Sequence, residues 1–256
     1  MTITAPRTGT TKRVPMDSLR KTALIAGVLY LITIVASIPA WALIAPVLNN
    51  PDYIVSSGAD SRVLFGGFLD VVTALACIGT AVALFPVVKR QNEAAALGFV
   101  TARVFEAAVI VIGVVSLLSV VTLRQAGAAG AEAASLVTTG QSLVAIRDWT
   151  FLLGPGLIPG VNALLLGYLL YRSGLVPRVI PLIGLIAGPL FLASATASIL
   201  GFNEQVSVLS GITTIPIAAW ELSLGVWLVI KGFKPSPITA EMQAAGTSPA
   251  YRNVTV

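Results

Sequence analysis

Long apolar runs constrain this chain more than anything else in it. Between Thr22 and Ile230 there are six of them: 22–48, 63–88, 94–123, 149–171, 179–200 and 208–230. At about 1.5 Å of rise per helical residue, each is long enough to cross the ~30 Å hydrocarbon core of a bilayer. A backbone in lipid has no water to bond, so runs of this length fold as helices that satisfy their own polar groups. Only 11% of the residues are charged, against about 25% in soluble domains. A soluble protein of this composition would lack a surface to show to water. The expected fold is an all-α integral membrane protein, a bundle of six transmembrane helices spanning residues 20–233. Residues 1–19 and 234–256 are polar, the latter with Pro235, Pro237 and Pro249. Both read as disordered tails.

The connections carry the topology signal. Twelve basic residues fall on one side of a six-span arrangement. They are Arg7, Lys12, Arg13, Arg20 and Lys21 in the N-terminal region, then Lys89 and Arg90, then Arg172 and Arg178, then Lys231, Lys234 and Arg252. Three, Arg62, Arg124 and Arg147, fall on the other. The positive-inside rule then puts both termini in the cytoplasm. Ala40-Trp41-Ala42 has the small-residue look of a signal-peptide cleavage site, but the apolar run continues beyond it. The connection 124–147 is rich in Gly, Ala and Ser, and its residues 133–146 read as a short interfacial helix.

Inside the third run stand Arg103 and Glu106, three residues apart and so on one helix face. A charge at mid-membrane costs roughly 2.5–3.5 kcal/mol on insertion scales. Counting from the terminal side at the helical rise, Arg103 lies about 14 Å along its helix, Glu106 about 18 Å and Glu221 about 15 Å. Asp70 lies about 27 Å from Val88, nearer the far side. Three acids competing for one arginine would leave a net charge of −2 if all were ionised. An acid that exchanges a proton at this depth is what proton-coupled transport needs. An arginine there also suits an anionic, carboxylate-bearing ligand. The fourth run opens Gly154-Pro155-Gly156-Leu157-Ile158-Pro159-Gly160-Val161-Asn162, which predicts a broken or kinked helix beside that interior. Asn162 brings a side chain that needs hydrogen bonds. Arg147 and Asp148, at the outer rim, are expected to face water. Gly156-x-x-x-Gly160 and Gly184-x-x-x-Gly188 are close-packing patterns.

The sequence contains no histidine and one cysteine, Cys77. Serine–histidine and cysteine–histidine nucleophile pairs, histidine-ligated zinc and internal disulfides are therefore excluded. Aspartyl intramembrane proteolysis needs two membrane aspartates where one is found. No strand–Gly-loop–helix unit is present, so no nucleotide cofactor is expected, nor a metal. The basic residues form no face for nucleic acid. The chain is thus expected to be no enzyme. Its partners are the lipid bilayer and a small anionic ligand or a proton; nothing in the pattern sets an oligomeric state. Two functions fit. One is a small transporter or ligand-binding protein whose site uses Arg103, Glu106, Glu221, Asp70 and Asn162. The other is a structural or accessory membrane protein whose ion pairs only fix helix packing.

The junction Gly167-Tyr168-Leu169-Leu170-Tyr171-Arg172-Ser173-Gly174-Leu175-Val176-Pro177-Arg178 is distinctive, as is Leu185-Ile186-Ala187-Gly188 after it. With Arg20, Gly27 to Leu31, Asp70, Arg103 with Glu106, and Glu221-Leu222 through Trp227-Leu228 to Lys231-Gly232, it resembles the bacterial membrane family catalogued as domain of unknown function 4386. The resemblance covers roughly residues 20–233. It implies six membrane helices in a bacterial cytoplasmic membrane and no assigned activity. It also implies that Arg172, Ser173, Pro177 and Arg178 form a motif. Physically these make a short cytoplasmic turn in which Pro177 stops the helix and Arg178 anchors the next one at the headgroups.

Overall fold

The computed structural model of the chain describes residues 17–56, 58, 60–127 and 131–240. Seven α-helices follow in order: α1 (Ser18–Leu48), α2 (Asp60–Val88), α3 (Glu93–Ala126), α4 (Ala131–Leu153), α5 (Ile158–Ser173), α6 (Val179–Ile199) and α7 (Val208–Ile230). No strand occurs among the described residues. Among the described residues six helical stretches are long and apolar enough to cross a membrane, with α4 and α5 together forming the fourth, Glu132–Ser173. The protein is a multi-pass membrane protein.

Local chemistry sets the helix ends. Asn92 caps α3 by accepting from the Ala95 amide at 2.9 Å, and Ser207 caps α7 by accepting from the Ser210 amide at 3.1 Å. Such caps satisfy amides that a helix start leaves orphaned. α5 stops at Gly174, whose φ of +66° is the left-handed conformation a side chain would strain. Prolines lie inside α1, α2, α6 and α7, and membrane helices carry proline more often than soluble ones.

The helices close into a ring. α1 packs on α2, α2 on α3, α3 on α5, α5 on α6, α6 on α7, and α7 back on α1. Small residues allow the closest approaches. A Cβ at Gly27 of α1 would lie 2.8 Å from the Gly225 carbonyl of α7, and one at Gly184 of α6 would lie 2.7 Å from the Trp220 ring. Gly160 and Gly188 similarly let α5 and α6 backbones meet. Arg20 clasps the ring shut. Its guanidinium donates to the Leu228, Val229 and Ile230 carbonyls at 2.9, 2.6 and 3.3 Å, capping the negative end of α7 with a cation. The ends of α1 and α7 therefore share one face of the bundle, called here the terminal face.

Three regions differ from expectation. The stretch 133–146 is no separate interfacial helix; it is the first part of α4, which packs along α3 and against a 3₁₀ turn at Tyr53–Val55. The helix break expected in the Gly-Pro stretch does fall there, at 154–157, where Gly156 leaves no room for a Cβ, since one would lie 2.6 Å from the Leu152 carbonyl. The C-terminal segment, read as tail from 234, is folded over 234–240. Lys234 donates its amide to the Leu175 carbonyl at 2.7 Å, Ser236 Oγ donates to the Ser173 carbonyl at 2.6 Å, and Thr239 is fully buried. Polar residues order here because the α5–α6 turn presents free carbonyls, a signal that local composition does not carry. At the other end of the domain, α1 begins at Ser18, just inside the stretch read as tail. Residues 1–16 and 241–256 of the expected tails lie outside the described residues.

At the opposite face, Arg124 pins the α1–α2 connection. It bonds Asp60 at 2.8 Å and the Ser56 and Gly58 carbonyls at 2.6 and 2.8 Å. The Tyr53 ring lies under its guanidinium, and burial, with the Asp60 carboxylate second, raises the Tyr53 phenol above its ordinary pKa.

Candidate functional site

Five helices bring polar groups to one depth. Tyr30 on α1, Cys77 on α2, Arg103 on α3, Asn162 on α5 and Glu221 on α7 each sit nine to twelve residues from the terminal-face end of their helix. That is about 14–18 Å, half a bilayer core. Ring closure makes the depths meet, because alternate helices run antiparallel with similar offsets.

At the centre is Arg103, 1% exposed. Its Nη1 donates to Glu106 Oε2 at 3.1 Å, and its Nη2 to Glu221 Oε1 at 3.0 Å. Nη1 also lies 3.5 Å from Cys77 Sγ. Asn162 Nδ2 donates to the same Glu106 oxygen at 3.0 Å. The guanidinium lies over the Tyr30 ring at 5.0 Å and the Phe99 ring at 6.0 Å, a cation–π arrangement in a desolvated setting. Glu106, Asn162 and Tyr30 are buried, and the Glu221 side chain is 14% exposed. Two buried polar atoms of this hub have no partner among the described residues, Arg103 Nε and Asn162 Oδ1. The Asn162 orientation is set by Glu106, since reversing the amide would bring two oxygens together. The hub holds one cation and two carboxylates, one negative charge in excess. Both terminal nitrogens of the arginine are taken, so an added anion would find only the buried Nε unless it displaced a carboxylate.

Asp70 is not part of this hub. Its Oδ2 accepts from Arg147 Nη2 at 2.6 Å, and Asp70 and Arg147 are 8% and 4% exposed. Arg147 does not face water as expected. It turns inward from the last turns of α4, across α3, with its guanidinium 5.5 Å from the Phe151 ring centre. Gly113 on α3 makes the passage, since a Cβ there would lie 3.0 Å from Nη1. The physical reason is length: α4 starts earlier than the apolar run, so Arg147 lies inside a helix and not at its rim. Sequence reasoning placed Asp70 away from the other acids by depth but left it without the right partner. The three-acid cluster thus divides into a hub of charge −1 and a neutral pair.

The turn motif lies apart from both. Arg172 and Arg178 are exposed, and Arg178 stacks on Tyr171 at 5.6 Å. Ser173 is buried and offers its carbonyl to Ser236. Pro177 starts α6 by leaving its carbonyl for the Ile180 amide at 3.0 Å. Two residues of the hub were missed from sequence, Tyr30 and Cys77. Counting depth on α1 and α2, as was done for the acids, would have found both.

A ring of helices crossing the membrane around a buried, salt-bridged hub defines a multi-pass membrane protein with a charged interior. The chain belongs to the family described as Domain of unknown function (DUF4386), whose pattern matches residues 25–232. No curated protein and no solved structure matches the chain. Among the described residues no group of three or more His, Cys, Asp or Glu side chains is placed to hold a metal ion.

Proposed function

We propose that this is a small transporter or ligand-binding protein of the bacterial cytoplasmic membrane, not an enzyme, with both termini in the cytoplasm. We further propose that the partner of its hub is a proton rather than an anion. One observation carries the reading: Arg103 is shared by two carboxylates, Glu106 and Glu221, in a buried site. One uncompensated negative charge in a low-dielectric interior calls for one more positive charge, and a proton is the cation that needs no room. The broken helix between α4 and α5 stands beside the hub through Asn162, where a change in carboxylate charge is felt by the chain. The test is proton movement in liposomes carrying the purified protein, with the carboxyl infrared band followed in parallel. A protonated-carboxyl band at pH 6 that is lost in Glu106→Gln or Glu221→Gln is expected. Both acids ionised at that pH would overturn the reading.

A second reading keeps the protein accessory or structural, with the hub only locking helices. It is favoured by the closure of the site, Arg103 being 1% exposed. Unchanged proton behaviour with a large loss of stability in the same variants would select it. Orientation is checked separately. Cys77 is buried, so single cysteines introduced at Arg90 and at Asn203 report sidedness to impermeant reagents without a competing exposed thiol. Labelling of position 90 from outside intact cells would reverse the proposed topology.

A further inference from the structure

A cavity of about 440 Å³ lies at the face opposite the termini, within the range of small-molecule sites. α4 packs on α3 and the 3₁₀ turn, and its other flank borders this space. The end of α1 supplies Trp41 and Asn49, α4 supplies Arg147, Asp148 and Phe151, and the α6–α7 connection supplies Gln205. The remaining walls are aliphatic.

The charges on this lining are unequal in availability. Arg147 is neutralised by Asp70 at 2.6 Å. Its Nε and Nη1 are sealed from solvent, with Nη1 turned toward Gly113 of α3. Asp148 makes no hydrogen bond and no ion pair among the described residues, and it is exposed. Arg147 acts on Asp148 through space, but its hydrogen bond goes to Asp70; the exposed charge of the cavity is therefore one carboxylate, set with two aromatic rings, Trp41 and Phe151, two amides, Asn49 and Gln205, and aliphatic walls. An aromatic face attracts a cation, tryptophan most strongly. An anion would meet Asp148 with nothing free to balance it.

We propose that this cavity is a binding site for a small organic cation, a substituted ammonium with an apolar body. Asp148 takes the charge, and Trp41 and Phe151 take the apolar part. This stands apart from the proton reading of the hub, which lies deeper and shares none of these residues.

The test is binding of radiolabelled benzyltrimethylammonium to the purified protein in nanodiscs. Neopentylbenzene, of the same shape without the charge, and phenylacetate serve as competitors. Saturable binding is expected, displaced by other alkylammonium ions and not by the two competitors. Asp148→Asn and Trp41→Leu should each weaken it at least tenfold while leaving the melting temperature within a degree or two. Glu106→Gln should leave it unchanged, so the hub and the cavity fail or hold separately. Competition by neopentylbenzene, or full binding in Asp148→Asn, would make the cavity an apolar slot for acyl chains and overturn the proposal. Displacement by phenylacetate, or no saturable binding, would overturn it as well.

Discussion

Replacing Asp70 by leucine strips Arg147 of its only hydrogen-bond acceptor among the described residues. Arg147 Nη2 makes the single bond, to Asp70 at 2.6 Å, while Nε and Nη1 are buried without partners. The guanidinium in Asp70→Leu would keep its charge and its burial, with the Phe151 ring and the unbonded Asp148 carboxylate as what compensation remains. Breaking a buried pair from one side costs about 3–5 kcal/mol, whereas replacing both members by apolar groups of similar size is often close to neutral. Asp70→Leu and Arg147→Met are therefore each expected to destabilise strongly, and the double variant less than either. The coupling should reach at least about 3 kcal/mol. Reversible unfolding in mixed micelles measures all four corners of the cycle. A second cycle, Asp70→Leu with Arg103→Met, is expected to be additive within about 0.5 kcal/mol, since the two residues share no partner. Additive effects in the first cycle, or coupling of Asp70 to Arg103 in the second, would refute the division of the interior into hub and pair.

Further outcomes follow from the same geometry. Arg103→Met leaves two carboxylates facing each other and should cost about 3–5 kcal/mol, more than Glu106→Gln or Glu221→Gln, which leave one carboxylate on the arginine; unfolding of the three variants ranks them. Gly184→Ala drives a methyl toward Trp220 and should cost about 1–3 kcal/mol, while Gly211→Ala, with open space around it, should be neutral or gain up to about 1 kcal/mol of helix propensity. Thermal unfolding of that pair gives the comparison. Tyr53, its pKa raised by burial, should ionise above the ordinary ~10. The stability it lends the α1–α2 connection is present below that value and lost as pH rises through the higher one. Phenolate absorbance against Tyr53→Phe reads the shift.

The helices were legible because lipid permits so few alternatives: an apolar run longer than a bilayer core has one way to satisfy its backbone. Arg103, Glu106 and Glu221 were legible as companions because depth can be counted along a helix. Asn162 was found through the Gly-Pro text that precedes it. What depth cannot supply is azimuth. Asp70 and Arg147 point at each other across α3 only because Gly113 leaves a passage, and nothing near either residue in the chain announces it. The folding of 234–240 was hidden for a related reason. Those residues are polar because they bond carbonyls of a turn some sixty positions earlier, and polarity alone reads the same for a bonded segment as for a loose one.

The clasp between Arg20 and the end of α7 has a consequence for how the molecule is made. A ribosome delivers α1 first and α7 last, yet each is the other's neighbour. Until the final helix enters the membrane, the face of α1 that carries Gly27 and Tyr30 has lipid where Gly225 and Leu228 belong, and Arg103 waits with one carboxylate instead of two. Every nascent chain thus passes through a period in which its most costly residue is half-compensated. A chain stopped before residue 208 is held in that condition, open along the seam where α7 would pack on α1 and α6.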